Sequence, residues 1–180
     1  MVTNDLAGML RAYKAIEFGD FTLASGKKST YYIDVKSAVT NPDLLGAIAS
    51  TVAGSQDFEV VAGVAVGGVS LAVATSLAAK KPYAIIRSTD KGHGKKDVII
   101  GNVRGKRVLL IEDVTTSGGS ALYGIEALRA AGANVDRVVT VVDREQGAAA
   151  MLATHGALLV SLVTVSELKK EQGLCNPKAK

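Results

Sequence analysis

The segment VLLIEDVTTSGGSA, residues 108–121, joins groups that act on an anion in opposite senses. An apolar run ends in two carboxylates, Glu112 and Asp113, and Val114, Thr115, Thr116, Ser117, Gly118, Gly119 and Ser120 follow at once. A strand that turns into a helix leaves backbone N–H groups unpaired at the helix start, where the helix dipole also favours negative charge. Glycines let such a backbone wrap a phosphate closely and hydroxyls add donors, so the loop has the composition of a phosphate cradle. It is not a P-loop, because the Gly-Lys-Ser/Thr ending is missing, nor a dinucleotide fingerprint, because Gly-x-Gly-x-x-Gly is missing. Phosphate alone gives no reason for the two acids. Carboxylates accept hydrogen bonds, which suits sugar hydroxyls or a magnesium-bound ligand. Acids and cradle together describe a site for ribose 5-phosphate; the competing reading is an N-capped helix with two solvated acids.

Three other places end apolar runs with polar or glycine residues. Gly67-Gly68 follows FEVVAGVAV (58–66), Arg87 closes PYAIIR (82–87), and Asp143-Arg144 follows RVVTVV. In an open parallel sheet, ligands bind beyond the carboxyl ends of the strands, so four strands delivering such groups to one edge is the pattern of a site. Arg87 leads into STDKGHGKKD (88–97), whose glycines and basic residues, Lys91 and His93 among them, read as a mobile loop; a solvated basic surface loop without function is the alternative. Arg144 taken alone fits a surface salt bridge as well as a substrate clamp. Tyr31 and Tyr32 are strand aromatics, one of which could flank a planar base. His155 and Cys175 lack any partner pattern and read as structural.

The elements that must position these groups alternate. Leu6, Met9, Leu10 and Tyr13 have helical spacing, with Thr3 or Asn4 as the expected cap of a helix over 3–15. A loop and short strand over 22–35 come next, and Asn41-Pro42 opens a helix to about Val52. Strands over 58–66, 82–87, 107–114, 137–143 and 157–163 alternate with helices over 70–79, 120–131 and 148–154, with Gly132 stopping the helix over 120–131. This predicts an α/β fold: a central, mostly parallel sheet with helices on both faces, and residues up to about 40 forming a small N-terminal hood. With no repeat, linker or low-complexity tract, residues 1–180 are expected to form one domain.

Composition limits the functions. Apolar residues make up 48% and charged residues 21%, ordinary for a globular chain. A net charge of +4 suits an anionic ligand but is too small to argue for nucleic acid. A single cysteine excludes an internal disulfide and fits a cytoplasmic location. The charged residues within 1–20 rule against a signal peptide, and apolar runs are broken well before membrane-spanning length.

Residues 108–121 resemble the phosphoribosyl diphosphate signature of type I phosphoribosyltransferases. Four further segments resemble orotate phosphoribosyltransferases in that family's order: FTLASGKKSTYYID (21–34), GVAVGGVSLA (63–72), RSTDKGHG (87–94) and DREQGA (143–148). The resemblance implies transfer of ribose 5-phosphate from 5-phosphoribosyl 1-diphosphate to orotate, with magnesium (Mg2+) as cofactor and no metal ligand assigned to the chain itself. It implies that residues 112–120 hold the ribose phosphate, that Thr116 and Arg144 face orotate, and that Arg87, Lys91 and His93 bind the diphosphate. Lys91, His93 and Asp113 are the implied catalytic residues, and the implied assembly is a homodimer with shared active sites. Ala24 and Ser88 stand where many relatives carry lysine, and Thr30 replaces a common proline, so binding details are expected to differ. A purine phosphoribosyltransferase would share residues 108–121 but give no reason for Arg144. A non-enzymatic regulator sensing the same donor would need a basic extension or face that this chain hardly has room for.

Overall fold

The computed structural model describes residues 5–22, 26, 28–88 and 98–170. In chain order its elements are α1 (Leu6–Ala12), β1 (Ile16–Thr22), β2 (Lys28–Ile33), α2 (Val35–Ala38), α3 (Pro42–Ser55), β3 (Val60–Val64), α4 (Gly67–Ala79), β4 (Tyr83–Ile86), β5 (Ile99–Ile100), β6 (Val108–Thr115), α5 (Gly119–Ala130), β7 (Arg137–Asp143), α6 (Ala148–Thr154), β8 (Leu158–Thr164) and α7 (Val165–Lys170).

Six strands form the main sheet in the order β5-β4-β3-β6-β7-β8. All adjacent pairs are parallel except β4 with β5. From β3 the chain crosses to β4 on one side and later to β6 on the other, so the direction of winding reverses between β3 and β6. A crevice opens at the carboxyl ends of strands at such a reversal. The strands are apolar on both faces, as a doubly covered sheet requires: every residue of β3 is buried, and so are the side chains of β7 from Val138 to Asp143.

Strand alternation divides the core in two. Val61, Leu109, Ile111, Val139 and Val141 face a cluster with Leu44, Ile48 and Val52 of α3, Leu71 and Ala72 of α4, and Leu6 and Leu10 of α1. Val60, Ala62, Leu110 and Val138 face the other, with Ala121, Ile125 and Leu128 of α5 and Leu152 of α6. Gly63, Gly68 and Gly124 allow helices to approach strands: a Cβ on Gly68 would lie 2.7 Å from the Ile111 carbonyl oxygen, and one on Gly124 2.9 Å from a Val64 methyl.

Local chemistry sets the boundaries. Asn41 caps α3 through its side-chain oxygen, which accepts from the Asp43 N–H at 2.9 Å, and Pro42 takes the first helical position. The cap of α1 is Asp5, accepting from the Gly8 N–H at 2.8 Å, rather than Thr3 or Asn4, which lie outside the described residues. That helix also ends early, since Lys14 takes a left-handed φ of 56°. The helix expected from Ser70 begins at Gly67, so the glycine pair belongs to its first turn.

Four elements, β1, α2, β5 and α7, have no counterpart in the sequence reading. β1 pairs antiparallel with β2 in a separate hairpin, with an irregularity between Phe18 and Phe21. Its mostly exposed residues give no alternating apolar signal. α7 was signalled only by a capping box: the Glu167 carboxylate accepts from the Thr164 N–H at 2.6 Å, and the Glu167 N–H bonds back to the Thr164 hydroxyl at 3.2 Å. At the opposite edge β5 pairs Ile99 with Ile86, and the Arg87 N–H donates to the Val98 carbonyl at 2.9 Å.

Candidate active site

β6 runs through Thr115, so the two acids lie inside the strand. Glu112 is 4% exposed and Asp113 9%, which excludes the reading of solvated acids. Successive strand residues point to opposite faces. Glu112 therefore turns toward α5, where its carboxylate accepts from the Ser120 hydroxyl at 2.9 Å. Asp113 turns the other way, toward α2 and α4: the Lys36 ammonium is 3.7 Å from its carboxylate, and a Cβ on Gly67 would fall 2.5 Å from its Cγ. The pair straddles the strand end, one acid on each side. Burial pushes Glu112 up to about 7; the neighbouring Asp113 charge adds to the rise and the Ser120 hydrogen bond opposes it.

The turn after β6 has an open helix start. Gly118 is the N-cap of α5, with φ 87°, and no side chain caps the helix. Uncapped N–H groups with the positive end of the helix dipole form an anion site, and α4 likewise starts at Gly67-Gly68 without a side-chain cap. Two helix starts thus face the crevice between β3 and β6, flanked by the two carboxylates. Thr116 and Ser117 sit on the turn and are at least partly exposed. Thr115 does not offer its hydroxyl as expected: it is 3% exposed and donates to the Asp143 carboxylate at 3.1 Å.

The Thr115 contact has a consequence next door. Asp143, buried at the end of β7, accepts from the Thr115 hydroxyl and from the Glu145 N–H at 3.0 Å, and the Arg144 N–H donates to the Thr115 carbonyl at 2.9 Å. Arg144 is therefore fixed beside the phosphate turn. Its guanidinium carbon lies 5.4 Å from the centroid of the Tyr31 ring, and its Nε is buried without a hydrogen-bond partner. The Lys169 ammonium approaches the same ring at 4.3 Å. Tyr31 of β2 thus docks the hood on the sheet between two cations. Arg87, exposed at the end of β4, has its carbonyl held by the Tyr123 hydroxyl of α5 at 2.8 Å. One edge of the sheet therefore gathers Arg87, the 112–120 segment and Arg144.

The sequence of the family described as "Phosphoribosyl transferase domain" matches residues 39–157. An orotate phosphoribosyltransferase of Methanocorpusculum labreanum is 64% identical over 167 residues, covering 93% of this chain and 99% of that protein. This chain belongs to the orotate phosphoribosyltransferase family. The crystal structure of the Aeropyrum pernix orotate phosphoribosyltransferase superposes with a TM-score of 0.84 at 33% identity, over 95% of this chain and 99% of that one. A Mycobacterium tuberculosis orotate phosphoribosyltransferase in complex with 5-phospho-alpha-D-ribosyl 1-diphosphate gives 0.75 at 30% identity, over 91% of this chain and 96% of that one. The α/β sheet with its hood is thus the type I phosphoribosyltransferase fold expected from the sequence.

Of the residues the orotate phosphoribosyltransferase resemblance points to, Lys91 and His93 lie outside the described residues, as does Ala24. Asp143 was placed at the site edge without a role of its own, and Lys36 and Lys169 went unassigned in the sequence reading. Asp143 carried a signal, since it ends an apolar strand. Lys36 and Lys169 carried none, because each meets its partner only through tertiary packing.

Proposed function

We propose that this crevice transfers ribose 5-phosphate from 5-phosphoribosyl 1-diphosphate to N1 of orotate, giving orotidine 5′-monophosphate and diphosphate. The observation that carries the reading is the uncapped start of α5 beside two buried carboxylates, with Arg144 locked one strand away. Amides of residues 117–120 and the Thr116 and Ser117 hydroxyls bind the 5-phosphate. Glu112 and Asp113 accept from the ribose hydroxyls, one from each side of the strand end. Arg144 forms a two-donor fork to the orotate carboxylate, and its unpartnered buried Nε is a donor still in need of an acceptor. Thr116 meets the base between them.

Breaking the C1′–O bond builds positive charge on the sugar and negative charge on the departing diphosphate, and the electron pair of orotate N1 closes the new bond as N1 gives up its proton to the departing diphosphate or to water. The carboxylates stabilise the sugar cation through its hydroxyls, while Arg87, Lys91 and His93 take up the charge of the diphosphate. Excluding water protects the cation from hydrolysis, a purpose for the 88–97 segment as a lid. Among the described residues no three His, Cys, Asp or Glu side chains gather as a metal cage. In this reading a magnesium ion would come with the diphosphate of the donor, with no ligand of the chain assigned to it. Magnesium would supply further neutralisation of the leaving group.

The same reading includes one domain over residues 1–180, a homodimer sharing its active sites and a cytoplasmic location. No described helix is long and apolar enough to cross a membrane. The decisive experiment is a base screen with 5-phosphoribosyl 1-diphosphate and magnesium, following loss of orotate absorbance. Turnover with orotate is expected; turnover with adenine, guanine or hypoxanthine and none with orotate would overturn the assignment.

A further inference from the structure

The hood brings a cation to the acid pair. Asp34 caps the single turn of α2: its carboxylate accepts from the Ser37 N–H at 3.1 Å and from the Ser37 hydroxyl at 2.7 Å. These bonds, the hydroxyl contact foremost, hold Asp34 below the ordinary carboxylate range. The Asp34 N–H is tied to the Ala15 carbonyl at 2.9 Å, and Val35 and Ala38 are buried in the core. With its neighbours anchored, Lys36 is left to reach outward, its side chain 61% exposed, and its Nζ stands 3.7 Å from Asp113 Oδ2. Asp113 itself is walled by the backbone of Gly67, where a Cβ would fall 2.5 Å from its carboxylate carbon. The carboxylate thus has α4 on one side and a hood lysine on the other.

We propose that Lys36 is a positioning residue for the donor: paired with Asp113 from the hood, it orients that carboxylate and offsets its charge as the anionic donor arrives. The inference rests on the reading of this crevice as the donor site. Two buried acids repel a ligand bearing a phosphate and a diphosphate. A neighbouring ammonium lowers that repulsion, and a distance beyond the hydrogen-bonding range leaves its three N–H donors free to turn from Asp113 to the ligand. Because the lysine is largely solvated, breaking the pair costs little, so it can yield when donor binds.

The test is calorimetric binding of 5-phosphoribosyl 1-diphosphate with magnesium to the wild type, Lys36→Met and Lys36→Arg, with orotate KM and thermal midpoint measured alongside. Lys36→Met should weaken donor binding by about fivefold at low salt, less at high salt, while Lys36→Arg stays within about twofold of wild type. Orotate KM should hold within about twofold, and the midpoint within about 2 °C. In an Asp113→Asn background, Lys36→Met should cost less than it does in the wild type, because part of its effect runs through that carboxylate. Unchanged donor binding in Lys36→Met would overturn the proposal. So would equal losses for donor and orotate with a lowered midpoint, which would make Lys36 a mere strut for the hood. A wild type that binds no donor defeats the reading of the crevice itself, whereas a binding wild type with an equally good Lys36→Met defeats Lys36 alone.

Discussion

Glu112 titrates where most enzymes work. Burial raises its carboxyl to about 7 from an ordinary 4.5, so the folded chain holds a proton there that the unfolded chain releases. A folded-state value above the unfolded one favours folding fully below about pH 4.5, and that contribution fades as pH rises through about 7. Stability of the ligand-free protein should therefore fall across this window by on the order of 2 kcal/mol from this group, and Glu112→Gln should flatten the decline in urea melts at pH 5 and pH 8. Donor hydroxyls need the ionised acid as acceptor, so donor affinity should rise over the same interval in the wild type. A neighbouring group gives a different signature. Arg144→Ala should raise orotate KM by about tenfold to a hundredfold, the range for losing a charged fork, and leave donor affinity nearly intact. Equal damage to both substrates in steady-state kinetics would show that the arginine serves the turn and not the base.

Helix ends and strand ends, more than their middles, build this site. Gly118 holds a φ of 87° with Ala148 Cα 3.3 Å from where a Cβ would stand and the flexible end of Met151 nearer still. Gly118→Ala should cost about 1–3 kcal/mol in chemical denaturation and weaken phosphate binding, because the turn would reopen to relieve the strain. At the far end of α5, Arg129 donates to the carbonyls of Val135, His155 and Gly156, clasping two loops to the helix. Strands β7 and β8, helices α5 and α6, and the Asn41-Pro42 start were legible because period and capping chemistry are local. The acids were legible as a pair inside the strand expected over 107–114, but the partners each meets, Ser120 on one side and Lys36 and Gly67 on the other, are set by packing. The Thr115–Asp143 bond, the Tyr31 stack and the Lys36 contact join residues far apart in sequence, so only packing could disclose them.

The assembled molecule couples its hood, sheet and helices through the ligand crevice, so a ligand should report on all of them. If donor binds the native state alone, a concentration about a hundredfold above its Kd adds about 2.7 kcal/mol of stability, which for a chain of this size means a rise in thermal midpoint of roughly 5–10 °C. Scanning calorimetry with and without donor and magnesium measures it; no shift at saturating donor would mean that the crevice does not take this ligand. Chelating magnesium should remove most of the shift, since the diphosphate would then approach the carboxylates unscreened.

The edge hairpin between β4 and β5 has a further implication. The Arg87 N–H to Val98 carbonyl bond and the Ile86–Ile99 pair tie the end of β4 to the start of β5. With the two strands paired through their own backbones, a change in the side chains that come between them in sequence is expected to leave this framework standing, much as a tool bit is changed without rebuilding the drill. Lys91→Ala should accordingly lower turnover while the melting curve stays where it was, and a family built on this frame can retune speed independently of durability.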